Sequence, residues 1–311
     1  MENEKTTQLH FNRISLDDRK LIGQLLLKYS RGSCQYALPQ MIGLQEKYGD
    51  EYYLVDDILI IHRSKKDTDS KRVYLAPLGA KALEDRTYVQ MIMEDAKSYG
   101  KVVSFEPVVK EFVDKLNEWY PEAFEIIEDR DMAEYVYTSQ KLVDLSGKKL
   151  AAKRNRINAF WSTYSNDSVR IEDIGPENMA QVYKYQRSWL AERNSYEADQ
   201  RLDIENDAIN YYLDHFEELG FFGRIVYLNE RVVGYAAGMA LSEDTADEVI
   251  EKGDTEITGI YQLLCQEFAK QCLGRFTYVN REEDIGIPGL RRAKESYRPE
   301  FLIEKYVARE V

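Results

Sequence analysis

The chain has 311 residues, 44% of them hydrophobic, and a formal net charge of −13 at pH 7. That length and apolar content suffice for two ordinary domains with proper cores. The acidic balance excludes a protein that coats DNA, RNA or anionic lipid through its overall field, and leaves such contacts to local basic patches.

Three cysteines, Cys34, Cys265 and Cys272, form no CxxC pair and fit no disulfide framework, which points to a reducing cytoplasm. Position 1 is followed by ENEKTTQ, which has no apolar signal core, and no window nears eighteen uninterrupted apolar residues. No integral membrane association is expected.

The first predicted element is a helix in DDRKLIGQLLLKYS, followed by a 36–48 segment. DDILIIHR and KRVYLAPLG read as neighbouring strands. Val89, Ile92, Met93 and Ala96 put a helix over 86–98, ended by Gly100. KVVSFEP is a strand, Val109, Phe112, Val113 and Leu116 mark a second helix, and FEIIEDR and AEYVYTS are strands.

A second series begins near Gly147. GKKLAAKRNRINAFW is helical, 169–171 is a short strand, and helices follow on Met179, Val182, Tyr183, Leu190 and on Ala208, Tyr211, Tyr212, His215, Leu219. FFGRIVYLNERVVGYAAGMAL is the clearest hairpin. ADEVIEK adds a strand, Ile260, Leu263, Leu264 and Phe268 a helix, FTYVN a strand, GLRRAKE a short helix and EFLIEKYV the last strand. The same element order thus occurs twice, with Tyr120-Pro121-Glu122 echoed by Tyr297-Arg298-Pro299-Glu300. Two related α/β domains are expected, 1–145 and 146–311.

The strand ending at Glu251-Lys252 passes through one helix into the strand ending at Val279-Asn280. Such a unit sets its strands parallel, with both carboxyl ends at one sheet edge, where open α/β sheets bind ligands. The polar stretch YVNREEDIGIPGLRRAKESYRP therefore starts at a cleft. Its Glu282, Glu283 and Asp284, with Glu251, are either candidate bases or partners that order the loop through Arg281, Arg291 and Arg292.

Lys148, Lys149, Lys153, Arg154 and Arg156, and then Arg291, Arg292, Lys294 and Arg298, are solvated faces or the contacts of a phosphate-bearing substrate. The loop KGDTEITG offers Thr255 and Thr258 as helix caps. His62 and His215 read as structural and no metal is expected, since no second His or Cys stands at ligand spacing. A serine nucleophile elbow, a Walker loop and a dinucleotide fingerprint are all missing from the sequence.

DEVIEKGDTEITGIYQLLCQEFAK followed by YVNREEDIGIPGLRRAKESYRPEFLIEKY, with KKLAAKRNRINAF and CQYALPQMIGLQEKYG, resembles the soluble bacterial proteins related to the C-terminal domain of phosphatidylglycerol lysyltransferase. The resemblance covers most of the chain. It implies an α/β fold of tandem Gcn5-related N-acyltransferase-like domains, each a mixed sheet flanked by helices. Lysyltransferases of this kind move an aminoacyl group from charged tRNA to a lipid hydroxyl, and related peptidoglycan-bridge enzymes move one to an amine.

By resemblance, then, the chain is expected to be an acyl or aminoacyl transferase to an amine or hydroxyl, with a small-molecule acyl donor or aminoacyl-tRNA as partner; from its acidic charge, no DNA partner is expected. Motif carry-over places Glu251, Lys252, Gly259, Tyr261 and Gln262 on one side of the cleft. Asn280, Arg281, Glu282, Asp284, Lys294 and Tyr297 line the other. Lys153, Arg154 and Arg292, from the two basic clusters, are further candidates for substrate binding. Glu251 or Asp284 would take the acceptor proton, and Lys252 or Arg281 would hold the donor.

Two departures bear on partners. The acetyl-CoA-dependent enzymes carry a Q/R-x-x-G-x-G/A loop where this chain reads KGDTEITG, so weak or no acetyl-CoA binding is expected and the cofactor stays open. The long hydrophobic N-terminal region of the membrane lysyltransferases is missing from the sequence, so a lipid acceptor is not expected. The alternatives are a non-catalytic ligand-binding or regulatory module on the same fold, and a tRNA-binding protein that uses the 148–156 cluster without transfer.

Overall fold

The computed structural model describes residues 8–194 and 200–311. After β1 (Asn12–Arg13), the helix expected over 17–30 is divided into a tight turn at Leu16–Lys20 and α1 (Gly23–Tyr29). α2 (Leu38–Gly43) and α3 (Gln45–Tyr48) lead into β2 (Asp50–Val55), β3 (Ile58–Arg63) and β4 (Lys71–Tyr74). β3 is buried along its whole length, as a strand covered on both faces must be. α4 (Thr87–Ser98) buries Tyr88, Val89, Ile92 and Ala96; β5 (Val102–Val108) follows; α5 (Lys110–Trp119) buries Phe112, Val113 and Leu116; then comes β6 (Phe124–Glu128).

The next elements are β7 (Glu134–Thr138), α6 (Ser139–Asp144), α7 (Ala151–Thr163), β8 (Val169–Asp173), α8 (Met179–Asn194) and α9 (Gln200–Asp214). The hairpin of β9 (Phe222–Leu228) and β10 (Arg231–Ala240) turns on Asn229 and Glu230, both at positive φ (48° and 63°), the two-residue turn whose twist matches the strands. β11 (Thr245–Gly253), α10 (Ile260–Cys272), β12 (Tyr278–Glu283) and α11 (Pro288–Glu295) come next. EFLIEKYV, expected as one strand, is two: β13 (Phe301–Ile303) and β14 (Tyr306–Glu310).

Two seven-stranded mixed sheets result, ordered β1-β2-β3-β4-β5-β14-β6 and β8-β9-β10-β11-β12-β7-β13. In each, five strands run in chain order and the fourth and fifth pair in parallel, β4 with β5 and β11 with β12. The sixth place is filled from outside the series: β14 pairs with β5 and β6, and β7 pairs with β12. The repeat legible in the sequence is therefore real in topology, and its two seventh strands are exchanged. Compact units accordingly comprise Met1–Ala133 with Ile303–Val311, and Glu134–Leu302. The division falls at Ala133/Glu134, ahead of the 145/146 boundary expected from sequence, because β7 pairs forward into the second sheet.

Each unit has its own core. Ile60, Val89, Ile92, Phe105, Phe112 and Leu116 centre the first; Tyr135, Tyr137, Phe160, Leu263, Leu264, Phe268 and Val279 centre the second. Among the described residues, no helix is long and apolar enough to cross a membrane.

Candidate functional site

The candidate site residues all lie in the second unit. β11 and β12 pair in parallel at Thr245↔Tyr278, Ala246↔Val279 and Asp247↔Asn280, and the ladder ends there while β11 runs on to Gly253. The two carboxyl ends thus share one edge and part from each other, as the strand-helix-strand spacing requires.

Two irregularities aim side chains into the parting. Against Ala237–Met239 of β10, β11 uses Ile250 to Asp247, one residue more than its partner, a bulge that resets which face its residues meet. Gly238 permits it: a Cβ there would lie 1.6 Å from the Asp247 carbonyl oxygen. β12 bulges too, since Asn280 to Glu283 opposes Val136 to Glu134, with Glu282 at φ 57°.

Arg281, on the second bulge, is the hub. Its Nε donates to Glu248 Oε2 and its Nη2 donates to Glu251 Oε2 at 2.7 Å. Its guanidinium lies 5.0 Å from the centre of the Tyr297 ring, and Lys153 Nζ of α7 lies 4.1 Å from the same centre. Two carboxylates thus share one guanidinium in a desolvated site. Glu248 Oε1 and Glu251 Oε1 are buried without a hydrogen-bond partner.

Burial pushes Glu251 up and Arg281 pulls it down; with Glu248 adding repulsion it stands at about 7 rather than the ordinary 4.5. Glu248 is also raised, by burial above all. Burial lowers Lys153, and the neighbouring charge of Arg281 lowers it further. Glu251 is therefore a carboxylate near its titration point at physiological pH, which general base catalysis favours.

Consecutive strand residues point to opposite faces, and Lys252 accordingly leaves Glu251 for the other side of the sheet. Its Nζ donates to Glu205 Oε1 of α9 at 2.6 Å and sits 4.2 Å from the Trp189 ring centre of α8. A cavity of about 270 Å³ lined by Trp189, Glu192, Arg193, Gly253 and Thr255 opens beside it.

Most of the remaining sequence candidates are engaged in contacts that order the loop and the bulge. Asp284 is fully buried and accepts from Arg291 (2.7 and 2.8 Å), Tyr135 Oη (2.6 Å) and Gly286 N–H (2.9 Å). Burial alone would raise its pKa, but these hydrogen bonds outweigh it and hold the group down at about 2. Of the two candidate bases, Glu251 keeps one buried oxygen without a hydrogen-bond partner, whereas Asp284 is committed to the loop.

Lys294 Nζ donates to the carbonyls of Arg281 (2.5 Å) and Glu283, pinning the β12 bulge. Asn280 spans it, donating to Glu134 at 2.5 Å and accepting from Glu282 N–H at 2.8 Å. Glu282, which stands over the bulge, is raised by burial and by Glu283. Tyr261 Oη donates to the Gly253 carbonyl at 2.9 Å. Arg154 donates to the Leu145 and Gly147 carbonyls behind α6, and Arg292 is exposed on α11.

The threonine caps expected in KGDTEITG are not formed. Gly259, at φ 88°, is the N-cap of α10, and Asp254 orders the loop by accepting from Glu256 N–H (3.0 Å) and Arg231 (2.9 Å). A Cβ at Gly259 would meet the Arg156 carbonyl of α7 at 2.3 Å. This helix start is packed against a carbonyl and preceded by a carboxylate, an arrangement that repels a pyrophosphate.

Among the described residues, one group of Cys and acid side chains could ligate a single ion: Glu248, Glu251 and Cys265, with ligand atoms within 4.8 Å of one another. Arg281 already supplies the cation to both carboxylates. Glu248 escaped the sequence reading for a definite reason. Three positions before Glu251, it belongs on the opposite face of a regular strand, and only the bulge brings both to one guanidinium. The glycine-containing AAGM segment of β10 is the one trace of that bulge in the sequence.

The family model of the phosphatidylglycerol lysyltransferase C-terminal domain matches residues 28–309. A conserved protein of Bacteroides thetaiotaomicron is 30% identical, covers 98% of this chain and 100% of its own, and superposes with a TM-score of 0.89. L-PGS from Bacillus licheniformis has the same fold at 13% identity, with 96% and 93% of the two chains covered and a TM-score of 0.65. A protein of Mycoplasmoides gallisepticum is 22% identical over 215 residues, 68% of each chain.

Proposed function

Because the chain belongs to the phosphatidylglycerol lysyltransferase C-terminal family, we propose that it is an acyl or aminoacyl transferase whose acceptor is an amine or a hydroxyl. The observation that carries this reading is Glu251: one oxygen is held by Arg281, the other is buried without a partner, and the group titrates near 7. In the proposed reaction the acceptor attacks the carbonyl of an activated ester, such as that of an aminoacyl-tRNA. Its proton passes to Glu251, a C–N or C–O bond forms, and the ester C–O bond breaks. The same proton then goes to the departing oxygen. Arg281, which holds the carboxylate, and Lys153, which shares the Tyr297 ring with it, would stabilise the tetrahedral oxyanion.

No covalent enzyme intermediate is needed, since orientation and charge stabilisation supply most of such an acceleration. The test is protein-dependent loss of the aminoacyl group from bulk charged tRNA in the presence of an added amine. Wild-type turnover that falls about 10²–10⁴-fold in Glu251→Gln is expected for loss of a general base. Absence of turnover with every aminoacyl-tRNA and acyl ester tried, combined with retained ligand binding, favours the non-catalytic module instead.

A further inference from the structure

In the first unit, three cations gather around one aromatic ring. Lys47 Nζ lies 4.7 Å, Arg63 Cζ 4.2 Å and Lys66 Nζ 5.2 Å from the centre of the Tyr48 ring. The backbone enforces this. Gly49 turns α3 into β2 at φ 60°, and its carbonyl accepts from Ser64 N–H (3.1 Å) and Ser64 Oγ (2.7 Å). Gln45 Nε2 donates to the Asp50 carbonyl at 2.8 Å. A Cβ at Gly49 would meet Ser64 Oγ at 2.5 Å and Lys65 Cγ at 2.7 Å. The segments bearing Lys47 and Lys66 are thus tied together, and the distances to the shared ring put the two ammonium groups no more than about 10 Å apart.

The local charges do not balance. Asp50, fully buried, faces Arg63 at 3.2 Å; Glu46 takes Lys65 at 2.8 Å; Glu106 takes Lys71 at 2.5 Å. Among the described residues, no carboxylate lies within ion-pair distance of Lys47 or Lys66. Arg63, with 4% of its side chain exposed, is held through Nε by Asp50, so the excess charge belongs to the two lysines. Burial lowers Lys66, and Lys47 and Arg63 lower it further, against Glu106. In a chain of net charge −13, two uncompensated ammonium groups held over one ring are a local reversal of sign. A tetrahedral oxyanion fits: it accepts from several N–H donors at once, and its charge matches the excess.

We propose that Lys47 and Lys66, which share the Tyr48 ring with Arg63, form a phosphate-binding site. Tyr48 is buried beneath the cations, so the site reads the phosphate group and stacks no base. The phosphate comes from a free phosphate or phosphomonoester, or from the backbone of an RNA strand. This goes beyond the transferase reading and does not depend on it.

The test uses the full chain, and its variants Lys47→Ala/Lys66→Ala and Lys66→Gln. Melting temperature is measured against inorganic phosphate, and filter binding against a short RNA hairpin at two salt concentrations. Lys110→Ala/Lys115→Ala, on paired and exposed lysines of α5, is the charge control. A saturable rise in melting temperature with phosphate, weakened at least tenfold in Lys66→Gln and lost in the double variant, supports a mobile phosphate. Hairpin binding that weakens with salt and falls at least tenfold in the double variant, without any phosphate effect, supports RNA as the source. Without ligand, Lys66→Gln melts no lower than wild type, because it relieves like-charge crowding. Saturable binding of neither probe, equal binding by both lysine variants, or an equal loss in the control overturns the proposal.

Discussion

Glu251→Gln separates the role of this carboxylate in stability from its role in chemistry, and the two are expected to run in opposite directions with pH. The folded-state pKa, about 7, lies above the ordinary value of 4.5, so the native protein holds this proton more tightly than the unfolded chain. Its contribution to stability is therefore fully present below about 4.5 and is lost as pH rises through 7. At about 1.4 kcal/mol per unit, that gap corresponds to about 3 kcal/mol, which water access to a side chain 20% exposed reduces. For a unit of this size the loss is a fall in melting temperature of roughly 5–10 °C between pH 4.5 and 7.5.

Glutamine keeps the shape and cannot titrate, so the variant should lose this part of the slope and retain the parts due to Glu248, Glu282 and Asp247, which burial also raises. Transfer by the wild type should rise over the same interval with a midpoint near 7, because the base must be ionised to accept a proton. Scanning calorimetry and initial rates on one buffer series give both curves. A variant whose stability slope matches wild type shows that Glu251 does not titrate there, and the assignment of the base falls with it.

Arg281→Ala leaves two buried carboxylates without their cation, and a loss of about 3–5 kcal/mol in denaturant unfolding at pH 7.5 is expected, with partial recovery at pH 5 as the acids protonate. Arg281→Lys should recover little, since an ammonium cannot reproduce the two-pronged donation seen here. Gly238→Ala drives a Cβ into the Asp247 carbonyl; it should destabilise by several kcal/mol, and the backbone shift that accommodates it should disturb Glu248 and reduce transfer. Calorimetric titration with acetyl-CoA should show no micromolar binding, given Asp254 and the packed start of α10.

The elements themselves were legible because their apolar periods survive folding: the stripes on α4, α5 and α10 and the alternation in the β9–β10 hairpin all lie where the sequence puts them. What was not legible is non-local pairing. AEYVYTS reads as a strand, but nothing within it says that β7 will lie beside β12, 140 or so positions onward. Likewise, the break within EFLIEKYV follows from partners, Val136 for Glu300 and Glu128 for Tyr306, that no local pattern contains.

The same limit applied to the site. Glu251 and Arg281 were named as cleft residues from their place after two parallel strands, and Tyr297 from the family resemblance. Lys294 and Asp284 were found too, but their functions as ties of the bulge and the loop depend on carbonyls and N–H groups that a side-chain pattern does not display.

The exchange of β7 and β14 has a consequence for how this site is held. β12 would be the last well-paired strand beside the parting if β7 were not on its far side, where Tyr278↔Thr138 and Asn280↔Val136 lock its register and Glu134 takes the Asn280 amide. That pairing fixes the strand up to the bulge, Lys294 fixes the bulge carbonyls, and Arg281 is left with one direction in which to point. Glu248 reaches the same guanidinium because of a second bulge, on β11, that Gly238 permits. A guanidinium oriented from one strand and two carboxylates from its neighbour meet only if both registers hold to within one residue, since a slip of one moves each side chain to the other face of the sheet. The geometry of Glu251 therefore depends on backbone pairing well beyond its own neighbours. Substitutions in β7 that weaken its ladder to β12 should reduce transfer through misplacement of Arg281, while Arg292→Ala, exposed on α11, should leave stability within about 0.5 kcal/mol of wild type.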